Sequence, residues 1–139
     1  MPAPLWMVAQ MRYLHHDSDD RGAAIVEMAL ILPVLVLLLM GIFEFGRAYN
    51  AKITLTQATR EAVRVLAISG DDVAAETALA TSATPLDTSQ LTYSATPCTS
   101  DERGTPTSVT ATYPFTYSIP FFGTATITMT STAVMRCGG

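Results

Sequence analysis

Residues 22–47 read GAAIVEMALILPVLVLLLMGIFEFGR, and the reading of the whole chain turns on them. Positions 28–43 hold sixteen residues without a charge, and counting from Ala23 gives twenty-one interrupted only by Glu27. A helix rising about 1.5 Å per residue needs about 20 residues to cross roughly 30 Å of hydrocarbon. The stretch therefore predicts one membrane span over residues 23–43, and no second run of that length follows. A secretory signal usually has a shorter apolar region with a small-x-small cleavage site after it. Here the run passes into Glu44, Phe45, Gly46 and Arg47, the pattern of an anchor that is retained.

The sequence beyond the span does not turn. Phe45, Tyr49, Ile53, Ala58, Ala62, Val65 and Leu66 recur at mostly three- and four-residue steps without a proline, which predicts an amphipathic helix leaving the bilayer. Gly70 is a stop signal. A single helix over residues 23–69 would be about 70 Å long. Pro33 lies inside it, where it removes one backbone hydrogen bond and can kink the helix, a defect that membrane helices tolerate better than soluble ones.

Past Gly70, Asp71 or Asp72 is placed to cap a short alanine-rich helix that Pro85 ends. The composition then shifts to threonine, serine and proline, and the period shifts to two. Val109, Ala111, Tyr113, Phe115 and Tyr117 alternate with threonines, as do Ala125, Ile127, Met129, Ala133 and Met135, so each run predicts a strand with one buried and one wet face. QLTYSATPC is a weaker third strand, and Pro114 argues for an edge strand or a bulge in the middle run. Phe121 and Phe122 sit in an apolar connection that reads either as a packed loop or as a contact to a partner or membrane. The expected fold is α+β: a long N-terminal helix, then a small domain with a short helix and an antiparallel sheet of about three strands. The divisions expected are a leader or tail at 1–22, the span at 23–43, its continuation at 44–69 and the small domain at 70–139.

The chain has 139 residues and a formal charge of -4, so no basic surface suggests nucleic acid as a partner. The part outside the span is small, and small domains bury a lower fraction of their surface. Cys98 and Cys137 both follow the span and are consistent either with one disulfide or with two buried thiols. The bond, closing a loop of about 40 residues, would contribute roughly 4 kcal/mol in the chain-entropy model, which a thin core needs most. In the leader, Met1, Met7 and Met11 are each a candidate start, and the adjacent His15 and His16 diverge on either a helix or a strand, without further ligands for a metal. No nucleophile elbow, glycine-rich phosphate loop or metal-ligand cluster occurs, so neither catalytic residues nor a cofactor are expected.

Glu27 is the anomaly. A charge at the bilayer centre costs on the order of 2.5 to 3.5 kcal/mol on insertion scales and less near the edge, so one reading leaves it solvated at the interface. The other takes in Gly22. Cutting between Gly22 and Ala23 would give Ala23 a new α-ammonium group and place Glu27 one helical turn from it.

At these residues the chain resembles the TadE-like family of minor pilins, or pseudopilins, of the tight-adherence pilus, a branch of the type IV pilus superfamily. The likeness rests on RGAAIVEMALILPVL at 21–35, GIFEFGRAY at 41–49 and QATREAVR at 57–64, and more loosely on VTATYPF and TATITMTSTAVMR. It implies cleavage after Gly22 by a membrane prepilin peptidase on the cytoplasmic face. It also implies that Glu27 neutralises a neighbouring subunit's terminal amine during assembly. Met28 stands where related major pilins carry an aromatic residue. The implied partners are other pilin subunits, the peptidase, the inner-membrane assembly platform and membrane lipid, and no chemistry of its own is implied.

Basic residues alone give a different topology. Arg12 and Arg21 precede the span among Asp17, Asp19 and Asp20, whereas Arg47, Lys52, Arg60 and Arg64 follow it, which by the positive-inside rule leaves the C-terminus in the cytoplasm. Those residues lie on a continuing helix, the cysteines suit an oxidising exterior, and the resemblance implies N-terminus in and C-terminus out. Pro33, Glu44 and Arg47 are candidates for helix-interface contacts, with Glu44 and Arg47 also readable as a solvated pair three residues apart. Tyr49 suits the membrane interface. The rival functional readings are an uncleaved single-pass protein whose outer domain binds a ligand or envelope component, and a secreted product of the same apparatus.

Overall fold

A computed structural model describes residues 19–98, 104–119 and 123–138. His15, His16, Phe121, Phe122 and the candidate starts lie outside the described residues. The element order is α1 (Asp19–Ser69), α2 (Asp72–Ser82), a 3-10 turn (Thr88–Gln90), β1 (Thr92–Thr96), β2 (Pro106–Ile119) and β3 (Gly123–Arg136). This is the α+β arrangement of one long helix, one short helix and a three-stranded antiparallel sheet. By its contacts the chain divides into two compact units, Met1–Met40 and Gly41–Gly139.

Within the first unit, α1 is continuous through Pro33. The large apolar side chains at positions 25–39 are 42–71% exposed. Among the described residues α1 is the single helix long and apolar enough to cross a membrane.

The second unit has a thin core. Leu55, Ala58, Ala62, Val63 and Leu66 from α1 meet Ala75 and Leu79 of α2 and Val109 and Ala111 of β2. The stripe read in the sequence holds at Ala58, Ala62 and Leu66, with Val65 packed at the core margin, and fails at its first three positions. Phe45 and Tyr49 are 74% and 62% exposed and Ile53 is also exposed, while Ala51 and Leu55 are buried. At about 100° per residue, the stripe at 45, 49 and 53 lies roughly 140° round the helix from the buried one. Ala58 and Ala62 of α1 share the buried cluster with Ala111 of β2, and side chains this small leave room for helix and sheet to pack, where Phe and Tyr would hold them apart.

Hydroxyl side chains on the helices are satisfied locally. The buried Thr59 Oγ1 donates to the Leu55 carbonyl at 2.6 Å, and Thr56, Ser69, Thr77 and Thr81 make the same four-residue return. Gly70 ends α1 with φ +67, a left-handed conformation that favours glycine, and its N–H reaches the Leu66 carbonyl at 2.9 Å. Asp71 then caps α2, its Oδ1 accepting from the N–H groups of Val73 and Ala74 at 2.9 and 3.2 Å. Asp87 caps the 3-10 turn in the same manner. The Ser89 hydroxyl, the Ser89 N–H and the Gln90 amide, in that order, hold its carboxyl below the usual range.

The strand order is β1-β2-β3. Thr92↔Thr112 through Thr96↔Ser108 pair β1 with β2, and Pro106↔Arg136 through Ile119↔Gly123 pair β2 with β3 without a bulge. The strand carrying Pro114 is therefore the middle one, contrary to the edge or bulge expected of it. It tolerates the proline because β1 pairs no further than Thr112, so on that side no strand asks Pro114 for an N–H. On β2 the alternation reads as expected, with Val109, Ala111 and Phe115 buried. β3 keeps the expected parity but little of the cover. Ser131 is its buried residue, Met129 and Ala133 pack at the core margin, and Ile127 and Met135 are 45% and 37% exposed. The helices lie over β2, and an outer strand gains only part of that shelter. On the other face, threonine pairs bridge the strands, Thr110 to Thr132 at 3.0 Å and Thr116 to Thr126 at 3.1 Å.

A disulfide joins Cys98, just after β1, to Cys137, just after β3. The end of the chain is held in place as well. Cys137 N–H donates to the Thr105 carbonyl, Gly104 N–H to the Cys137 carbonyl and Gly138 N–H to the Ala67 carbonyl of α1, each at 2.9 Å.

Candidate assembly site on the long helix

Gly22, Ala23 and Glu27 all lie on α1, in the first unit, and all are exposed. One helical turn separates Ala23 from Glu27. Glu27 borders an open hollow of about 430 Å³ whose other walls, Ala24, Ile25, Met28 and Ile31, are apolar. It has no ion-pair partner among the described residues. A lone carboxylate set in aliphatic surface is a poor end state in lipid and a strong magnet for a cation.

Gly22 is unexplained by packing. A Cβ built there meets nothing within 4 Å, yet glycine inside a helix costs about 0.5–1 kcal/mol relative to alanine. The fold would accept, and prefer, a larger residue at that position.

Glu44 and Arg47 fall in the second unit, where α1 meets the sheet. Arg47 Nη1 lies 3.1 Å from both Glu44 oxygens, and the guanidinium carbon stands 5.5 Å from the centre of the Phe115 ring. Phe115 thus turns a helix-surface pair into a contact that also holds β2, a role not legible from the spacing of Glu44 and Arg47. Five residues after Arg47, Lys52 Nζ donates to the Thr130 carbonyl of β3, a second tie between helix and sheet. No sequence pattern announced it, because the acceptor is backbone. Phe45 and Tyr49 stack with ring centres 6.5 Å apart on the exposed side of α1.

No group of three or more His, Cys, Asp or Glu side chains that could hold a metal occurs among the described residues. The outer hollow beside Thr56, Arg60, Ser131 and Met135 is open and brings no nucleophile and base together.

A bilayer-length apolar helix with a carboxylate near its start, continued into a small disulfide-closed α+β unit, fits a membrane anchor that carries a small domain. Residues 22–64 match the family model described as TadE-like protein. Over that segment the chain is similar to the TadE-like family, in agreement with the resemblance read from the sequence. No curated protein and no solved structure matches the chain.

Proposed function

We propose that the protein acts as a minor pilin or pseudopilin in assembling a tight-adherence pilus, held by residues 23–43 with its N-terminus in the cytoplasm and its C-terminus outside. The observation that carries this reading is the family match, which begins at Gly22 and includes Glu27. Cleavage between Gly22 and Ala23 by a prepilin peptidase frees an α-ammonium group. Glu27 of one subunit then receives the terminal amine of a neighbour. In lipid that pairing is strong and leaving either charge alone is costly, so it selects one register between packed helices.

A glycine that the fold does not need at position 22 is what a peptidase with a narrow site beside the scissile bond would require. The exposed apolar surface of positions 25–39 supplies the rest of the contact, first with lipid and then with sister helices. Pro33 and the Glu44–Arg47 pair are placed to register those helices. The other partners on this reading are the pilin subunits, the peptidase and the inner-membrane platform.

The mature N-terminus tests the proposal. Intact-protein and peptide mass spectrometry on cells containing the peptidase should find a chain beginning at Ala23, and on cells lacking it a chain still carrying Gly22. An uncut Gly22–Ala23 bond in both would favour the uncleaved anchor with a ligand-binding outer domain.

A further inference from the structure

We propose that the groove between α1 and the far end of the β2–β3 hairpin is a binding site for a phospholipid of the leaflet from which the helix emerges. The proposal rests on the membrane-anchor part of the reading above and not on pilus assembly. Gly41, Glu44, Phe45 and Ala48 form the helix side, and Phe115, Tyr117, Ile119 and Ile127 form the strand side, around about 260 Å³, with the Glu44 carboxylate paired to Arg47.

Height along the helix identifies the occupant. The uncharged run ends at Phe43, and Ala48 lies five residues further on, about 7.5 Å along the axis. The headgroup zone outside the hydrocarbon is about 5–7.5 Å thick on each side. A groove walled by positions 41 to 48 therefore opens inside that zone, and the strand residues lining it share the level. Ile119 and Ile127 are 38% and 45% exposed there, a poor arrangement against water and a good one against the upper part of an acyl chain. Nothing lies within 4 Å of a Cβ at Gly41, so the groove floor is open at the point nearest the hydrocarbon.

The polar end of a lipid has a partner at the matching height. Arg47 is about 6 Å beyond Phe43 along the helix. Its Nη1 is held by Glu44 and its plane by Phe115, which pre-orients the remaining guanidinium N–H groups. A guanidinium fork is well matched to a phosphate diester. The exposed, stacked Phe45 and Tyr49 belong to the same level, where aromatic residues favour the interface.

The test uses the full, disulfide-closed chain in phosphatidylcholine and phosphatidylglycerol vesicles, with phosphatidylcholine brominated either near the headgroup or near the chain end. The single tryptophan, Trp6, is replaced by Phe, and reporters are placed one at a time as Tyr117→Trp, Ile127→Trp, Val34→Trp and Val134→Trp. Loss of emission at 117 and 127 should be greater with the shallow bromines, at 34 greater with the deep ones, and absent at 134. Adding Gly41→Leu, which fills the floor, should return the emission at 117 toward the level at 134. Unquenched reporters at both 117 and 127 beside a quenched reporter at 34 would overturn the lipid site and leave the anchor standing. An unquenched reporter at 34 would remove the anchor itself, and the lipid site with it. Tyr117→Trp, the more conservative change, decides the matter if Ile127→Trp prevents disulfide closure.

Discussion

The hydroxyl of Tyr93 on β1 donates to Asp72 Oδ1 in the first turn of α2 at 2.6 Å. This bond links the shortest strand to the shortest α-helix, across a connection that includes Pro85 and the 3-10 turn. Burial, then the hydrogen bond and charge of Asp72, then the charge of Glu76, push the Tyr93 phenol well above its ordinary value.

Tyr93→Phe should lower stability by about 1 kcal/mol, the usual worth of one such bond. The phenol's raised value fixes the sign with pH. Its contribution is complete below the unfolded value near 10 and is lost as pH rises through the higher folded value. The gap in melting temperature between wild type and Tyr93→Phe should be constant at neutral pH and narrow above about pH 10. A gap that widens in alkali would contradict the assignment.

Cys98→Ser with Cys137→Ser, or reduction of the native chain, should cost roughly 4 kcal/mol, because the unfolded chain regains the freedom of a loop of about 40 residues. Against a typical total of about 5–15 kcal/mol this is large. Thermal melts of the detergent-solubilised chain with and without reductant would measure it, and overlapping curves would refute it.

Leu55→Ala should destabilise the second unit by about 2–5 kcal/mol, since the side chain is fully buried. Tyr49→Ala, on the exposed side of the same helix, should stay within about 0.5 kcal/mol. Denaturant titrations of the two variants separate the observed stripe from the one expected from spacing, which would reverse the order.

Glu27→Gln should leave folding and membrane extraction unchanged and reduce filament incorporation. An amine left without its carboxylate in lipid costs about 3 kcal/mol, equivalent to about a hundredfold loss at equilibrium. Quantitative immunoblotting of sheared filaments against membranes is the readout. Wild-type incorporation by the variant would remove Glu27 from the assembly role.

Residues 23–43 were readable as a membrane-length helix because a bilayer imposes one requirement on every residue of a span, independent of any partner in the fold. The strand runs were equally legible, since a period of two follows from the backbone itself. Legibility failed where cover depends on a neighbour. Pro114 looked like an edge residue, but its position is decided by how far β1 extends along β2. The alternating apolar residues of β3 looked buried, but the helices lie over β2 instead.

The same boundary divides the candidate site. Gly22, Ala23, Glu27, Pro33 and the Glu44–Arg47 pair were visible as residue types at fixed spacing on one helix. Phe115 under Arg47, Thr130 at the end of Lys52 and Asp72 opposite Tyr93 were not, because each partner is brought from a distant part of the chain and one of them is only a carbonyl.

By itself the sequence determined the elements, the bilayer-length apolar helix and the periodicity of each segment, since these depend on local geometry and on solvent. Only the tertiary structure decided where along α1 the core stripe began, which strand stood in the middle and where Cys137 closed the sheet back towards α1. Those choices are made by packing between distant segments: Ala58, Ala62 and Ala111 share one buried cluster across elements that sequence order keeps apart.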